Sequence, residues 1–339
     1  MSDPHFEHLR NQGWVVRPAR LDDVPTSIVM FNAAETDLFG AGPYSAERYV
    51  QEWQAPGFNL DLDTRLVLSP DGKPVGCAEV WTLADPPVHP WIWARVDPAC
   101  EGRGIGSAML AWSLTRAMES LTRVPPDARS APRVGTRPGH LPSTALFEDF
   151  GFSLARTSWR MAIDLAAPPL QPAWPPGIRL RPYRHPQDLE PVYRCVRDSF
   201  RDHWGYVDVP FEQGLALFRH SNTVLHPVEP DVWFVAMDGK QIAGVSLCRR
   251  RADDDPEMGW VDTLGVRRPW RRRGLGLALL LHSFHALRQM GAARAGLGVD
   301  SGSLTGATRL YARAGMSVSR ELALYELELR PGRELGTQA

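Results

Sequence analysis

The chain has 339 residues, a formal net charge of −1 and 43 % hydrophobic residues. That balance speaks against a nucleic-acid or membrane surface and fits two globular domains with sizeable cores. Cys77, Cys100, Cys195 and Cys248 are scattered without metal or redox spacing, so reduced, structural thiols and no metal are expected. No apolar run is long enough for a membrane span and no charged-apolar-small leader is seen, so a cytoplasmic protein is expected.

In the first half, Val16-Arg17-Pro18-Ala19-Arg20 opens the pattern and Asp71-Gly72-Lys73 forms a turn. Trp93-Ala94-Arg95-Val96 reads as a strand, Glu101-Gly102-Arg103-Gly104-Ile105-Gly106 as a glycine turn, and Ser107 to Trp112 as the helix after it. Pro86 to Trp91 and the segment from Pro125 to Pro132 are loops peculiar to this half. Leu146-Phe147-Glu148-Asp149-Phe150-Gly151-Phe152 follows, then a proline-dense stretch over 166–177, which resists helix and sheet and reads as an extended linker.

The second half is clearer. A strand is expected over 178–182, helices over 187–200 and 211–218, and an irregular segment over 201–210. Strands over 232–237 and 241–249 form a hairpin around Asp238-Gly239. A strand over 260–266 leads through a glycine turn to a long helix over 275–290, followed by a strand over 293–299, a short helix over 306–314 and a closing strand over 321–329. The fold class is α/β (α+β): two tandem domains, each a mixed central sheet flanked by helices. The halves are copies. Val16-Arg17-Pro18 answers to Leu180-Arg181-Pro182, Asp71-Gly72-Lys73 to Asp238-Gly239-Lys240, and Leu146 to Phe152 to Leu310 to Met316, at offsets of roughly 165–170 positions. The expected division is 1–165, a linker over 166–177, 178–330 and a tail over 331–339.

Arg271-Arg272-Arg273-Gly274-Leu275-Gly276 carries the most chemistry. Strand, basic glycine turn and helix make an anion site: the glycines let backbone approach the ligand, the first helical N–H groups point at it, and guanidiniums add forked donors for phosphate oxygens.

With that turn after a strand, and with Val299-Asp300, Thr305-Gly306-Ala307 and Leu310-Tyr311-x-x-x-Gly315-Met316 downstream, the chain resembles the GCN5-related N-acetyltransferases over nearly its whole length. Its tandem layout is similar to the two-domain mycothiol synthase type. The resemblance implies acetyl-CoA or another acyl-CoA as co-substrate, with Arg271, Arg272, Arg273, Gly274, Leu275 and Gly276 at its pyrophosphate. It also implies direct attack of an amine on the thioester. Backbone N–H groups around Leu264, Gly265 and Val266 of a bulged strand would polarise the thioester oxygen. By the same resemblance Asp262 is the candidate base and Tyr311 the candidate acid for the departing thiolate. At Ser303 the family often has asparagine, which weakens a side-chain contact to pantetheine there.

Aligned on Gly104 and Gly274, Ile92 matches Asp262, Glu101 matches Arg271 and Phe147 matches Tyr311. A base, a phosphate-binding cation and an acid are each lost, so the first half is expected to be catalytically degenerate. The acceptor is expected near the loop holding Asp202, His203 and Trp204, a polar aromatic set suited to a cationic amine. The reading is therefore an acyltransferase moving a short acyl group to a primary amine of a small molecule, as a monomer or homodimer without nucleic-acid or membrane partners. A non-catalytic acyl-CoA module, a protein N-acetyltransferase and an enzyme using a donor on a phosphopantetheine protein remain as alternatives.

Overall fold

The structure is a computed structural model that describes residues 3–40, 44–303 and 306–338. In chain order the first elements are α1 (Glu7–Arg10), β1 (Val15–Arg17), α2 (Val24–Phe39), α3 (Ala46–Trp53), α4 (Leu60–Asp63), β2 (Thr64–Leu68), β3 (Pro74–Trp81), β4 (Trp91–Val96), α5 (Ile105–Glu119), β5 (Arg133–Thr136), α6 (Leu141–Asp149) and β6 (Ser153–Asp164). Then come β7 (Ile178–Pro182), α7 (Leu189–Phe200), α8 (Phe211–His220), β8 (Trp233–Asp238), β9 (Gln241–Arg249), β10 (Met258–Val266), α9 (Leu275–Gln289), β11 (Arg294–Asp300), α10 (Ala307–Arg313) and β12 (Ser317–Glu326).

Two compact units form. Unit 1 is Met1–Ala155 with Leu322–Leu335, and unit 2 is Arg156–Glu321 with Gly336–Ala339. Unit 1 orders its strands β1-β2-β3-β4-β5-β12, antiparallel except for β4 beside β5. Unit 2 orders them β7-β8-β9-β10-β11-β6, antiparallel except for β10 beside β11. The 1–165 and 178–330 division follows the sequence copies. The compact units instead divide at Ala155 and at Glu321, because β6 pairs with β11 and β12 pairs with β5. The closing strand, expected over 321–329, starts earlier at Ser317, and its Ala323–Glu326 end belongs to unit 1.

Alternation along the strands builds two cores in unit 1. Ala78, Val80 and Ile92 turn to α5, while Cys77, Trp81 and Trp93 turn to α2 and α3. In unit 2 a large core joins α7, α9 and the strands through Val192, Val245, Val261, Phe284 and Leu297. The hairpins close as expected, with Gly72 at φ 83° and Gly239 at φ 56° supplying the left-handed residue. The segment over 166–177 holds neither helix nor strand; its Trp174 packs on His282 of α9 at 5.8 Å between ring centroids.

Candidate active site

In unit 2, β10 and β11 run side by side only where Met258, Gly259 and Trp260 face Arg294, Ala295 and Gly296. Beyond that point β10 stays on β9 as far as Val266, and β11 stays on β6 as far as Asp300. The two parallel strands thus part, which leaves one edge of β10 without a strand partner among the described residues and open to a ligand's polar groups. The glycine turn closes the open end. Arg272 sits at φ 59° and Gly274 at φ 87°, and α9 begins with Gly274 as its N-cap. A left-handed arginine is strained by roughly 1–2 kcal/mol, a cost that structures keep at working sites. A Cβ on Gly276 would lie 3.1 Å from Leu310 and 3.7 Å from Val266, so glycine lets α9 start against α10 and β10.

The turn's arginines differ. Arg272 and Arg273 are exposed, and neither is in an ion pair among the described residues. Arg271 is engaged: Nε donates to the Val266 carbonyl at 3.0 Å, one terminal nitrogen to the Ser199 carbonyl at 2.8 Å, and the other to Asp202 at 2.5 Å. Arg268 also donates to both Asp202 oxygens. Arg268, and then Arg271, hold the Asp202 carboxyl well below the usual carboxylate range.

The other predicted side chains lie on α10, on β10 and just past the end of α7. Tyr311 is buried, and burial pushes its phenol up to about 12. Asp262 interrupts the β9–β10 ladder between Val261 and Thr263, and Arg249 donates to its two oxygens at 2.7 and 3.0 Å. His203 lies against Phe200 at 4.3 Å between centroids; burial, and then Arg271, lower its pKa, so it is neutral near pH 7. Trp204 receives the Arg156 guanidinium 5.3 Å from its ring centroid. Thr305 lies outside the described residues.

Unit 1 repeats the scaffold with other chemistry. Gly102 and Gly104 take the left-handed angles at 73° and 80°, and a Cβ on Gly106 would meet Leu146 at 3.3 Å and Val96 at 3.9 Å. A cleft of about 490 Å³ opens there, lined among others by Val96, Gly104, Val134 and Phe147. Its turn carries Glu101, close to Asp37 and His140, their ligand atoms all within 4.8 Å of one another. Phe147 packs on Tyr325 at 5.5 Å.

The sequence profile of the acetyltransferase (GNAT) family matches residues 29–152 and again 190–316. The chain belongs to this family. It is an acyl-CoA-dependent N-acetyltransferase with two GNAT domains in tandem, and the family uses acetyl-CoA as co-substrate. Mycothiol acetyltransferase of Salinispora arenicola is 29 % identical over 315 residues, 89 % of this chain and 93 % of the relative. That of Thermobispora bispora is 29 % identical over 262 residues, 75 % of this chain and 80 % of the relative. A GCN5-related N-acetyltransferase from Sphaerobacter thermophilus superposes with a TM-score of 0.77 at 30 % identity, covering 96 % of this chain and 98 % of that one. A tandem GNAT protein from the clavulanic acid pathway shares the fold at a TM-score of 0.68 and 17 % identity, covering 94 % and 99 %.

Within this GNAT scaffold two details differ from the sequence reading. Gly265 does not form the bulge; it pairs regularly with Val245, and a Cβ there would lie 3.2 Å from Ser199, so glycine serves the close approach of α7. The irregular residue is Asp262. Consequently Ile92, which faces Val80 in an unbroken ladder, corresponds to Val261, which faces Cys248, and Asp262 is an extra residue with no counterpart in unit 1. The sequence reading also missed Arg249 and Arg156. Arg249 lies on β9, and Arg156 grips Asp300 through bonds of 2.9 to 3.1 Å from β6, in the other sequence copy. Nothing local in the sequence marks either pairing.

Proposed function

We propose that unit 2 transfers an acetyl group from acetyl-CoA to a primary amine of a small molecule, and that unit 1 no longer catalyses. The contrast between two copies of one scaffold carries the reading: Arg271 and Tyr311 stand where unit 1 has Glu101 and Phe147, while the packing glycines Gly276 and Gly106 keep the same neighbours. The glycine packing is kept on both sides, while the side chains at the turn and at the 311 and 147 positions differ, and β10 alone carries the extra residue Asp262.

The pyrophosphate would meet the α9 N-terminus and the arginines of the turn. The thioester would lie along the open edge of β10, its oxygen accepting from backbone N–H near Leu264 to Val266. The amine nitrogen attacks the carbonyl carbon, the carbon–sulfur bond breaks, and the amine's proton leaves for Asp262, directly or through water. Arg249 donates to both Asp262 oxygens and orients the carboxylate, which as an anion would also attract an ammonium. Tyr311 keeps its proton at neutral pH. With a phenol near 12 facing a thiol of ordinary pKa about 8.5, full transfer is uphill, so it serves as a hydrogen-bond donor to the developing thiolate. The relatives' name directs the acceptor search first to amines of the mycothiol class.

Thiol release from acetyl-CoA, followed across amino sugars, aminothiols and their conjugates, tests the reading. Release should require an amine, fall at least about tenfold in Arg271→Glu and survive in Glu101→Arg. Full release by Arg271→Glu would place the chemistry elsewhere.

A further inference from the structure

The turn that should receive a phosphate is already engaged by a carboxylate. Asp202, two residues past the end of α7, takes bonds from both Arg268 and Arg271, and Arg271 adds a bond to the Ser199 carbonyl on the same helix end. A guanidinium reads carboxylate and phosphate through one geometry, two parallel N–H donors meeting two oxygens. The Asp202 contacts and a bound pyrophosphate at this turn therefore draw on the same donors.

We propose that Asp202 stands in for the cofactor's pyrophosphate in the free protein: binding of acyl-CoA passes Arg271 and Arg268 to the phosphates and frees the Asp202 carboxylate for the acceptor's ammonium. This rests on the reading of the 271–276 turn as the cofactor's phosphate site. Pyrophosphate carries more charge than a carboxylate and gains the α9 N-terminus as well, so the exchange favours it.

The segment beyond Asp202 has anchors of its own. Thr337 brackets it, its carbonyl accepting from Gly205 N–H at 2.9 Å, its N–H donating to the Tyr206 carbonyl at 2.9 Å, and its hydroxyl donating to the Arg201 carbonyl at 2.8 Å. Arg156 holds Trp204 from the side. Those anchors do not involve Arg271 or Arg268, so they persist when the arginines leave. Asp202, stripped of two guanidiniums, becomes a free anion beside His203 and Trp204, the set expected to meet a cationic amine. Cofactor binding thereby prepares the acceptor side, and acyl-CoA enters first.

The experiment uses the full chain, acetyl-CoA as probe, and two readouts. Hydrogen–deuterium exchange of the wild type should slow over 271–276 and quicken over 199–203 when acetyl-CoA is added. By calorimetry, Asp202→Asn should bind acetyl-CoA about tenfold more tightly, since two partly exposed ion pairs no longer compete. Slowing at 271–276 with slowing or no change at 199–203, or unchanged or weaker binding by Asp202→Asn, overturns the exchange alone. No slowing at 271–276 overturns the cofactor reading, and this inference with it. The wild-type exchange data decide the matter even if the variant fails to fold.

Discussion

Tyr311 shows how one buried hydroxyl distinguishes the units. It lies in the main core of unit 2, and its place in unit 1 is taken by Phe147. Tyr311→Phe keeps the ring, so folding and acetyl-CoA affinity should hold while kcat falls about 100-fold; an unchanged kcat would remove the hydroxyl from the chemistry. Arg272 gives a complementary test. It holds the left-handed angle that Gly102 holds in unit 1, so Arg272→Gly should leave stability unchanged or raise it by up to about 1 kcal/mol yet weaken acetyl-CoA binding. Weaker folding would show that the angle carries no strain. Glu79 supplies a pH test in unit 1. It is buried beneath donors from Tyr49, Trp53 and Trp81, and burial, opposed by those bonds, raises it to about 7. A raised carboxyl favours the protonated folded state, so its contribution is full below about pH 4.5 and is lost as pH climbs through 7. Glu79→Gln should therefore flatten the loss of unit 1 stability between pH 5 and 7.5, a difference on the order of 3 kcal/mol readable by denaturant titration. Parallel wild-type and variant profiles would contradict it.

At the scale of elements, the decisive feature is β12. Its end pairs with β5, and Ala323 and Tyr325 enter the unit 1 core. Arg133 bonds Glu326, and Arg129 bonds Glu326, Glu328 and Glu334, charged partners on the same returning segment. Truncation after Glu321 should thus expose β5 and speed amide exchange in 133–136 of unit 1, while β8 to β10 of unit 2 stay protected; the reverse pattern would contradict the pairing. Local signals made the elements themselves legible. Asp238-Gly239 announced a hairpin, the periodicity of Leu189, Val192, Tyr193 and Val196 a helix, and Gly274 the start of α9. Sheet membership was hidden, because β12 has the same composition whichever partner it meets. The bulge at Asp262 escaped for a similar reason: a ladder irregularity depends on the neighbouring strand. Asp202 was legible as a polar residue of the acceptor loop, but its pairing with arginines 66 and 69 positions downstream was not.

At the scale of the molecule, duplication left two copies of one glycine turn with different charges. In unit 2 the turn carries Arg271, engaged with Asp202, and the exposed Arg272 and Arg273; in unit 1 it carries Glu101 and Arg103, with Asp37 and His140 near Glu101. The backbone amides of both turns still favour an anion, so the side chains decide which turn holds the cofactor firmly. Titration of the full chain with acetyl-CoA, followed by hydrogen–deuterium exchange at both turns, measures this directly. The account predicts one firm site, with protection over 271–276 that disappears in Arg271→Glu. Protection confined to 101–106, or a firm site that persists in Arg271→Glu, would contradict it.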